Sequence, residues 1–262
     1  MKKLVTTLFV FAAVFILSGC GSTETSKGKS SASLPTEKEV PLSDKQTTDS
    51  SKKLTVRTFD STDSSSWAAS FQVISSDKGN ILIDPGKYDD ELSNYVKTIG
   101  GVDAILITHG HWDKLRGLDD AIKANPDAKV YVHELDYPYF KDTKRNCSAE
   151  QGVEGTTNAK ATTLVEGNYE ISGYQIKVIH TPGHTEGSVL YHFPEENILI
   201  GGDTIMADKV AGSQHPGGNE AERKASITKF KKLSFPKDMR IYSGHGASTT
   251  YSELLQTNHD LQ

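Results

Sequence analysis

Apolar and polar positions follow two kinds of pattern from about residue 54 onward. Short apolar runs bounded by Gly, Asp, Asn or Pro are typical of strands, and the run at residues 104–107 is apolar enough for a buried central strand. Strands are predicted in this way at residues 54–59, 71–74, 80–84, 104–107, 129–132, 174–179, 197–200 and 239–242. A turn at residues 77–80 joins the second and third of these runs, which predicts a hairpin.

Apolar residues at intervals of three and four predict helices between the strands. Helices are predicted in this way at residues 88–98, 115–125 and 220–233. Residues 136–160 and 206–219 fit neither pattern, and long polar connections in a compact domain often form binding loops or lids. The whole pattern predicts a single α/β domain over residues 54–262, which is large enough to bury a sizeable core.

The amino-terminal residues have the pattern of a secretion signal, predicted over residues 1–19. Two lysines precede an uncharged run at residues 4–17, which is short for a membrane-spanning helix. The end of this segment, Leu17-Ser18-Gly19-Cys20, resembles the lipobox of bacterial lipoproteins. The resemblance implies a lipid on Cys20 that anchors the protein to the extracytoplasmic face of the cell membrane. A generic signal that is cut nearby and an uncleaved anchor are the alternatives.

Residues 20–53 are rich in Ser, Thr, Lys and Glu and contain few apolar positions. Such a segment cannot bury enough apolar surface to offset the entropy lost on ordering. We therefore expect it to be a disordered tether that spaces the domain from the lipid-anchored Cys20.

Charge and cysteine content narrow the possible functions. The formal net charge is −5, and no cluster of Lys and Arg is interleaved with aromatic residues, which argues against nucleic-acid binding. Cys147 is the second of two cysteines, so a lipidated Cys20 leaves it without a disulfide partner in the chain. Its neighbours in sequence supply no group that would activate a thiolate, and we expect no catalytic role for it.

The segment Thr108-His109-Gly110-His111-Trp112-Asp113 directly follows the most apolar predicted strand. Two imidazoles and a carboxylate within five positions are costly to desolvate unless a cation binds them. An ordinary polar loop would account for one histidine but explains this cluster poorly. The segment therefore predicts a metal site.

Three further predicted strands end in a glycine-flanked turn that carries one His or Asp. These turns are Thr181-Pro182-Gly183-His184-Thr185, Gly201-Gly202-Asp203-Thr204 and Ser243-Gly244-His245-Gly246. Since open sheets usually carry their sites at strand ends, we expect six candidate ligands to meet there. They are His109, His111, Asp113, His184, Asp203 and His245.

The order of these motifs, HxHxD, PGH, GDT and GHG, resembles the metallo-β-lactamase superfamily of metal-dependent hydrolases, in its glyoxalase II-like pattern. The resemblance covers about residues 54–258 and implies an αββα sandwich. The ligands it implies are His109, His111, His184 and Asp203 for a first metal ion, and Asp113, Asp203 and His245 for a second. Asp84, at another strand end, would orient a ligand by hydrogen bonding rather than bind an ion.

The position after Asp113 departs from the family's commonest pattern, HxHxDH, because this chain has Lys114 there. The lactamase branch also lacks that histidine, but it has a cysteine where this chain has Asp203. We therefore expect the first metal site to fill tightly and the second weakly. The Lys114 ammonium could supply part of the missing positive charge, contact an anionic substrate group, or point to solvent from a helix start.

The expected activity is hydrolysis by a metal-bound hydroxide, in which Asp113 orients the nucleophile and shuttles its proton. The second ion or Lys114 would stabilise charge on the leaving group or substrate. The expected cofactor is Zn²⁺, as one or two ions, with Fe²⁺ or Mn²⁺ as alternatives. The substrate would be an ester, thioester, lactone, amide or phosphoester, as a small molecule or as part of the cell envelope. Two alternatives are a mononuclear iron sulfur oxygenase of the same fold and a non-enzymatic metal-binding surface lipoprotein.

Overall fold

A computed structural model describes residues 53–60 and 68–262. The predicted signal, Cys20 and, apart from Lys53, the predicted tether lie outside the described residues. Within the described ranges, none of the helices combines the length and the apolar character that crossing a membrane requires.

The described strands form two six-stranded sheets. The first contains, in spatial order, β1 (Thr55–Asp60), β2 (Ser70–Ser75), β3 (Asn80–Ile83), β4 (Ala104–Leu106), β5 (Lys129–His133) and β6 (Ala161–Leu164). The strands from β1 to β3 pair antiparallel, as the predicted hairpin requires, and those from β3 to β6 pair parallel. The carboxyl ends of β3, β4 and β5 therefore meet at one edge of this sheet.

In the second sheet each strand lies beside its neighbours in sequence. Its strands are β7 (Gly167–Ile171), β8 (Tyr174–His180), β9 (Val189–Phe193), β10 (Ile198–Gly202), β11 (Arg240–Ser243) and β12 (Thr249–Thr250). The pair β10–β11 is parallel and the other pairs are antiparallel. The turns after β10 and β11 consequently leave the sheet side by side.

Helices cover the outer face of each sheet. They are α1 (Asp90–Ile99), α2 (Trp112–Leu115), α3 (Leu118–Ala124), α4 (Glu220–Lys231) and α5 (Tyr251–Thr257), and short 3₁₀ turns occur at Tyr137–Phe140, Ser148–Gln151 and His259–Leu261. Helix α1 begins where the Asp89 carboxylate accepts a hydrogen bond from the amide of Leu92, and it ends at Gly100, whose φ of 93° lies in the left-handed region that glycine tolerates.

Three apolar layers result from the alternation of side chains along the strands. Ile81 and Ile83 of β3 pack in the core between the two sheets, together with Ile176 and Ile200 of the second sheet. Leu82, between them in sequence, packs instead among the residues that bury α1 and α3. A third cluster buries Phe230 of α4 and Leu254 of α5 on the outer face of the second sheet. The predicted αββα sandwich is confirmed.

The structure corrects two details of the predicted elements. The helix predicted at residues 115–125 is interrupted at Gly117, because the Gly117 amide bonds the Pro85 carbonyl and a Cβ there would lie 2.6 Å from that oxygen. The strands β6, β7, β9 and β12 were missing from the prediction. Strand β6 is an edge strand with exposed threonines at its centre, so it lacks the apolar run that marks a buried strand.

Candidate metal centre

Three predicted histidine ligands converge at the carboxyl ends of β4 and β8. His109 and His111 lie on the turn between β4 and α2, and His184 lies on the turn after β8. One ring nitrogen from each lies within 4.8 Å of the others, and all three residues are buried. The Asp203 Oδ2 atom, on the turn after β10, lies 3.8 Å from His109 Nε2 and 3.5 Å from His184 Nε2.

All three convergent nitrogens are unpaired among the described residues, and two of the three rings are held in the neutral state that metal binding requires. The Nε2 atoms of His109, His111 and His184 are buried and make no hydrogen bond within the described residues. Burial lowers the pKa of His109 to about 3 and that of His111 well below its usual value, so both rings are neutral at pH 7. Unpaired buried imidazole nitrogens are costly unless a cation binds them. Three imidazoles with an adjacent carboxylate fit a divalent ion such as Zn²⁺.

Asp84 acts on the site through Thr108. The Asp84 carboxylate accepts hydrogen bonds from the Thr108 amide at 2.7 Å and from the Thr108 hydroxyl at 2.6 Å. Because that hydroxyl donates to Asp84, its oxygen is left to accept from His109 Nδ1, 3.2 Å away. This arrangement assigns the proton of His109 to Nδ1 and leaves the Nε2 lone pair to face the site.

The two irregular segments noted in the sequence border the centre. The Gly212 carbonyl, in residues 206–219, accepts a hydrogen bond from His184 Nδ1 at 2.8 Å and so orients that ring. The ring of His215, in the same segment, lies 5.5 Å from the ring of His111. In residues 136–160, Tyr139 and Phe140 are fully buried and serve mainly as packing.

Asp136 is a structural feature of the site that the sequence analysis missed. It is fully buried and accepts hydrogen bonds from the Gly110 amide, the Thr185 hydroxyl and the Gly187 amide, at 2.7–2.8 Å. These three donors belong to the two histidine-bearing turns. Burial raises the pKa of Asp136 to about 6 against the lowering effect of these bonds, so the carboxyl is ionised at neutral pH.

The residues expected at a second metal ion also come together. Ligand atoms of Asp113, Asp203 and His245 lie within 4.8 Å of one another. His245 Nδ1 donates to the Ala68 carbonyl at 2.5 Å, which directs Nε2 towards Asp203 Oδ2, 3.0 Å away. Lys114, however, is fully buried with its ammonium among these groups, so the alternative that it points to solvent is wrong.

A third group of potential ligands lies beside the centre, formed by Cys147, Glu150 and His215. The thiol is free and buried, and burial together with the charge of Glu150 raises its pKa to about 12. The thiol therefore stays protonated at neutral pH.

Comparison with known sequences identifies the family. The sequence model of the metallo-β-lactamase superfamily matches residues 68–245, and the chain belongs to that superfamily. The probable metallo-hydrolase YqgX of Bacillus subtilis (strain 168) is 32% identical over 178 residues, which are 66% of this chain and 83% of YqgX. A hydroxyacylglutathione hydrolase of Francisella tularensis subsp. novicida (strain U112) is 28% identical over 177 residues, 67% of this chain and 62% of that protein.

Solved structures agree with this assignment. The BLEG-1 B3 metallo-β-lactamase matches with a TM-score of 0.68 and 30% identity, over 76% of this chain and 96% of that chain. The protein TTHA1623, in a di-iron-bound form, matches with a TM-score of 0.66 and 28% identity, over 77% and 98% of the respective chains. The metallo-β-lactamase resemblance read from the motifs is thus confirmed, and the superfamily is one of metallo-hydrolases.

Proposed function

We propose that this protein is a metal-dependent hydrolase that cleaves a small ester, thioester or lactone. The observation that carries the proposal is the convergence of three buried histidine nitrogens beside Asp203. The similarity to a hydroxyacylglutathione hydrolase supports an acyl substrate over a phosphoester. When bound, a divalent ion lowers the pKa of a coordinated water towards neutrality and polarises the bond to be cleaved.

The residues of this chain supply the rest of the chemistry. Asp113 is buried, but against the effect of burial the Lys114 ammonium holds its pKa well below the usual value, so it is ionised. Its Oδ2 atom lies 3.4 Å from His245 Nε2, which in turn lies 3.0 Å from Asp203 Oδ2. We assign Asp113 to orient the attacking water by accepting a hydrogen bond from it. The side chains of His245 and His215 are each 28% exposed, whereas His109 and His111 are buried, so substrate reaches the site from the His245 and His215 side.

The test is hydrolysis by protein that has been stripped of metal and reloaded separately with zinc, manganese or iron. The panel contains chromogenic esters, thioesters, lactones, phosphodiesters and a cephalosporin. We expect metal-dependent turnover of an ester, thioester or lactone, and its loss in His111→Ala but not in His192→Ala. Turnover that is equal in the stripped and reloaded protein, or unchanged in His111→Ala, would contradict the proposal. Oxygen consumption by the iron-loaded protein without hydrolysis would favour the sulfur-oxygenase alternative.

We also propose that the enzyme acts outside the cytoplasm, anchored through a lipid on Cys20. The support is the sequence Leu17-Ser18-Gly19-Cys20 after an uncharged run. Cells that express the full chain and are fed a labelled fatty acid should label the protein, and Cys20→Ser should abolish the label. A label that persists in Cys20→Ser, or a wild-type protein that carries none, would exclude this anchor.

A further inference from the structure

The Lys114 side chain occupies the position that a second cation would need. Its Nζ atom lies 2.6 Å from Asp113 Oδ2, 3.0 Å from Asp203 Oδ1 and 3.1 Å from His245 Nε2. It also donates to the Gly244 carbonyl, 3.2 Å away. The three side chains that it contacts are the same three that form the second group of potential metal ligands.

An ammonium in this position and a metal ion exclude each other. A zinc ion would bind the same carboxylate and imidazole atoms from about 2.0–2.2 Å, and so would fall close to the position of Nζ. Two cations cannot share that space, and their repulsion in a buried site is screened little by solvent. The ammonium also donates a hydrogen bond to Asp113 Oδ2, one of the oxygens that the ion would need.

The surroundings of Lys114 hold its ammonium in place. The side chain is fully buried, and Asp113 and Asp203 beside it are both buried as well. If Lys114 turned away, two buried carboxylates would lose the ammonium that lies between them, and removing one partner from a buried ion pair is strongly unfavourable. Lys114 belongs to the short helix α2, whose first residue follows His111, so the turn that carries two histidine ligands also fixes the lysine.

We propose that the Lys114 ammonium permanently replaces the second metal ion and that the protein binds one metal ion, at His109, His111 and His184. This inference rests on the proposed function and specifies its cofactor content. The solved di-iron form of TTHA1623 indicates that a similar fold accommodates two ions in another protein. In this chain a fixed positive charge takes the second position, and it remains when the metal is removed.

The first experiment measures metal content in the wild-type chain. Metal-free protein is loaded with excess zinc, passed through a desalting column and analysed by mass spectrometry for zinc per chain. A crystal of the loaded protein is then measured at the zinc absorption edge. We expect one ion per chain and one anomalous peak, between His109, His111 and His184. A second peak between Asp113, Asp203 and His245 would overturn the proposal, whatever the variants show.

The second experiment opens the position that the ammonium fills. Lys114→Ala and Lys114→His remove the charge and release the three side chains around it, so zinc content should rise from one ion to two per chain. Lys87→Ala is the matched control, because Lys87 is a partly exposed lysine that pairs with Asp89, and it should stay at one ion. A folded Lys114→Ala or Lys114→His protein that still binds a single ion would contradict the proposal.

These outcomes are separate from those of the proposed function. A wild-type protein with two ions and metal-dependent ester hydrolysis would reject the role of Lys114 and leave the hydrolase intact. A wild-type protein with one ion and no hydrolysis of any substrate class would reject the hydrolase and leave the role of Lys114 intact.

Discussion

The Asp136 carboxylate accepts a hydrogen bond from the backbone amide of Gly110, the residue between the two histidines of the turn after β4, with an oxygen–nitrogen distance of 2.8 Å. The same carboxylate accepts from Thr185 and Gly187, which follow His184 on the turn after β8. One buried side chain therefore sets the distance between the two turns that supply the three histidine nitrogens. Groups that orient metal ligands in this way influence metal affinity although they do not touch the ion.

Asp136→Asn should weaken metal binding and lower stability together. The asparagine amide would point a donor at backbone and hydroxyl donors, which costs about 1–3 kcal/mol of folding free energy. Zinc affinity, measured by competition with a chelator, should fall about 10–100-fold, as is typical for groups that orient metal ligands. Asp142→Asn is the matched control, because Asp142 bonds the amides of Lys144 and Arg145 at the surface and should leave zinc affinity unchanged. Equal zinc affinities for the two variants would contradict the role given to Asp136.

Gly110 should not tolerate a side chain. A Cβ at this position would lie 2.5 Å from the Cβ of Tyr139, a fully buried ring that cannot move aside. Gly110→Ala should therefore destabilise the protein by about 1–3 kcal/mol, the usual cost of overpacking. Gly167→Ala, where the nearest atom is 3.4 Å from the added Cβ, is the comparison. Urea denaturation of both variants measures the difference in their stability. Equal midpoints would show that the turn accommodates the added methyl group and would contradict this prediction.

The link from Asp84 through Thr108 to His109 can be tested at the hydroxyl. Thr108→Val keeps the shape of the side chain but leaves Asp84 Oδ2 and His109 Nδ1 without their shared partner. We expect zinc affinity to fall about 10–100-fold. Thr108→Ser retains the hydroxyl and should restore most of the affinity. A valine variant that binds zinc like the wild type would show that this link does not position His109.

Stability should fall with acidification in a window that His133 sets. His133 is buried, stacks on His180 at 4.1 Å between ring centroids, and accepts a hydrogen bond from the Leu135 amide. Burial, followed by the charge of His180, lowers the pKa of His133 to about 4 from 6.5. Between these two pH values the unfolded chain binds a proton that the folded chain does not, so stability is lost as pH falls from about 6.5 to about 4.

The variant His133→Asn isolates this effect, since asparagine does not titrate in the window. The unfolding free energy of the wild type minus that of the variant should decrease as pH drops from 6.5 to 4, because only the wild type loses the contribution of His133. Above pH 7 the difference should be constant. Urea denaturation across this pH range measures the unfolding free energy of both proteins. If the two plots of unfolding free energy against pH stayed parallel throughout, they would contradict the role assigned to His133.

The candidate ligands could be expected to meet because each belongs to a local pattern, and the family that these motifs resemble implied the sandwich. Each candidate ligand follows a short strand, and each strand ends at the same edge of a sheet. The missed strand β9 did have a sequence signal, because four of the five residues in Val189–Phe193 are apolar. The same four residues are buried in the structure.

Asp136 and Lys114 show what local patterns leave out. The partners of Asp136 lie 26, 49 and 51 residues away in the chain, so no motif marks it. Lys114 stood next to a motif, but its burial depends on Gly244 and His245, which are 130 and 131 residues away. Whether the Lys114 side chain points to solvent or into the site therefore depends on tertiary packing, which sequence spacing does not encode.

Zinc content in a His184→Ala variant tests the central claim most directly, because His184 joins the site from a different turn than His109 and His111. The measurement is zinc per chain after loading and desalting, for wild type, His184→Ala and the control His192→Ala, with circular dichroism to verify folding. The account predicts zinc retained by the wild type and by His192→Ala, and lost from His184→Ala. A folded His184→Ala protein that keeps zinc as tightly as the wild type would contradict it.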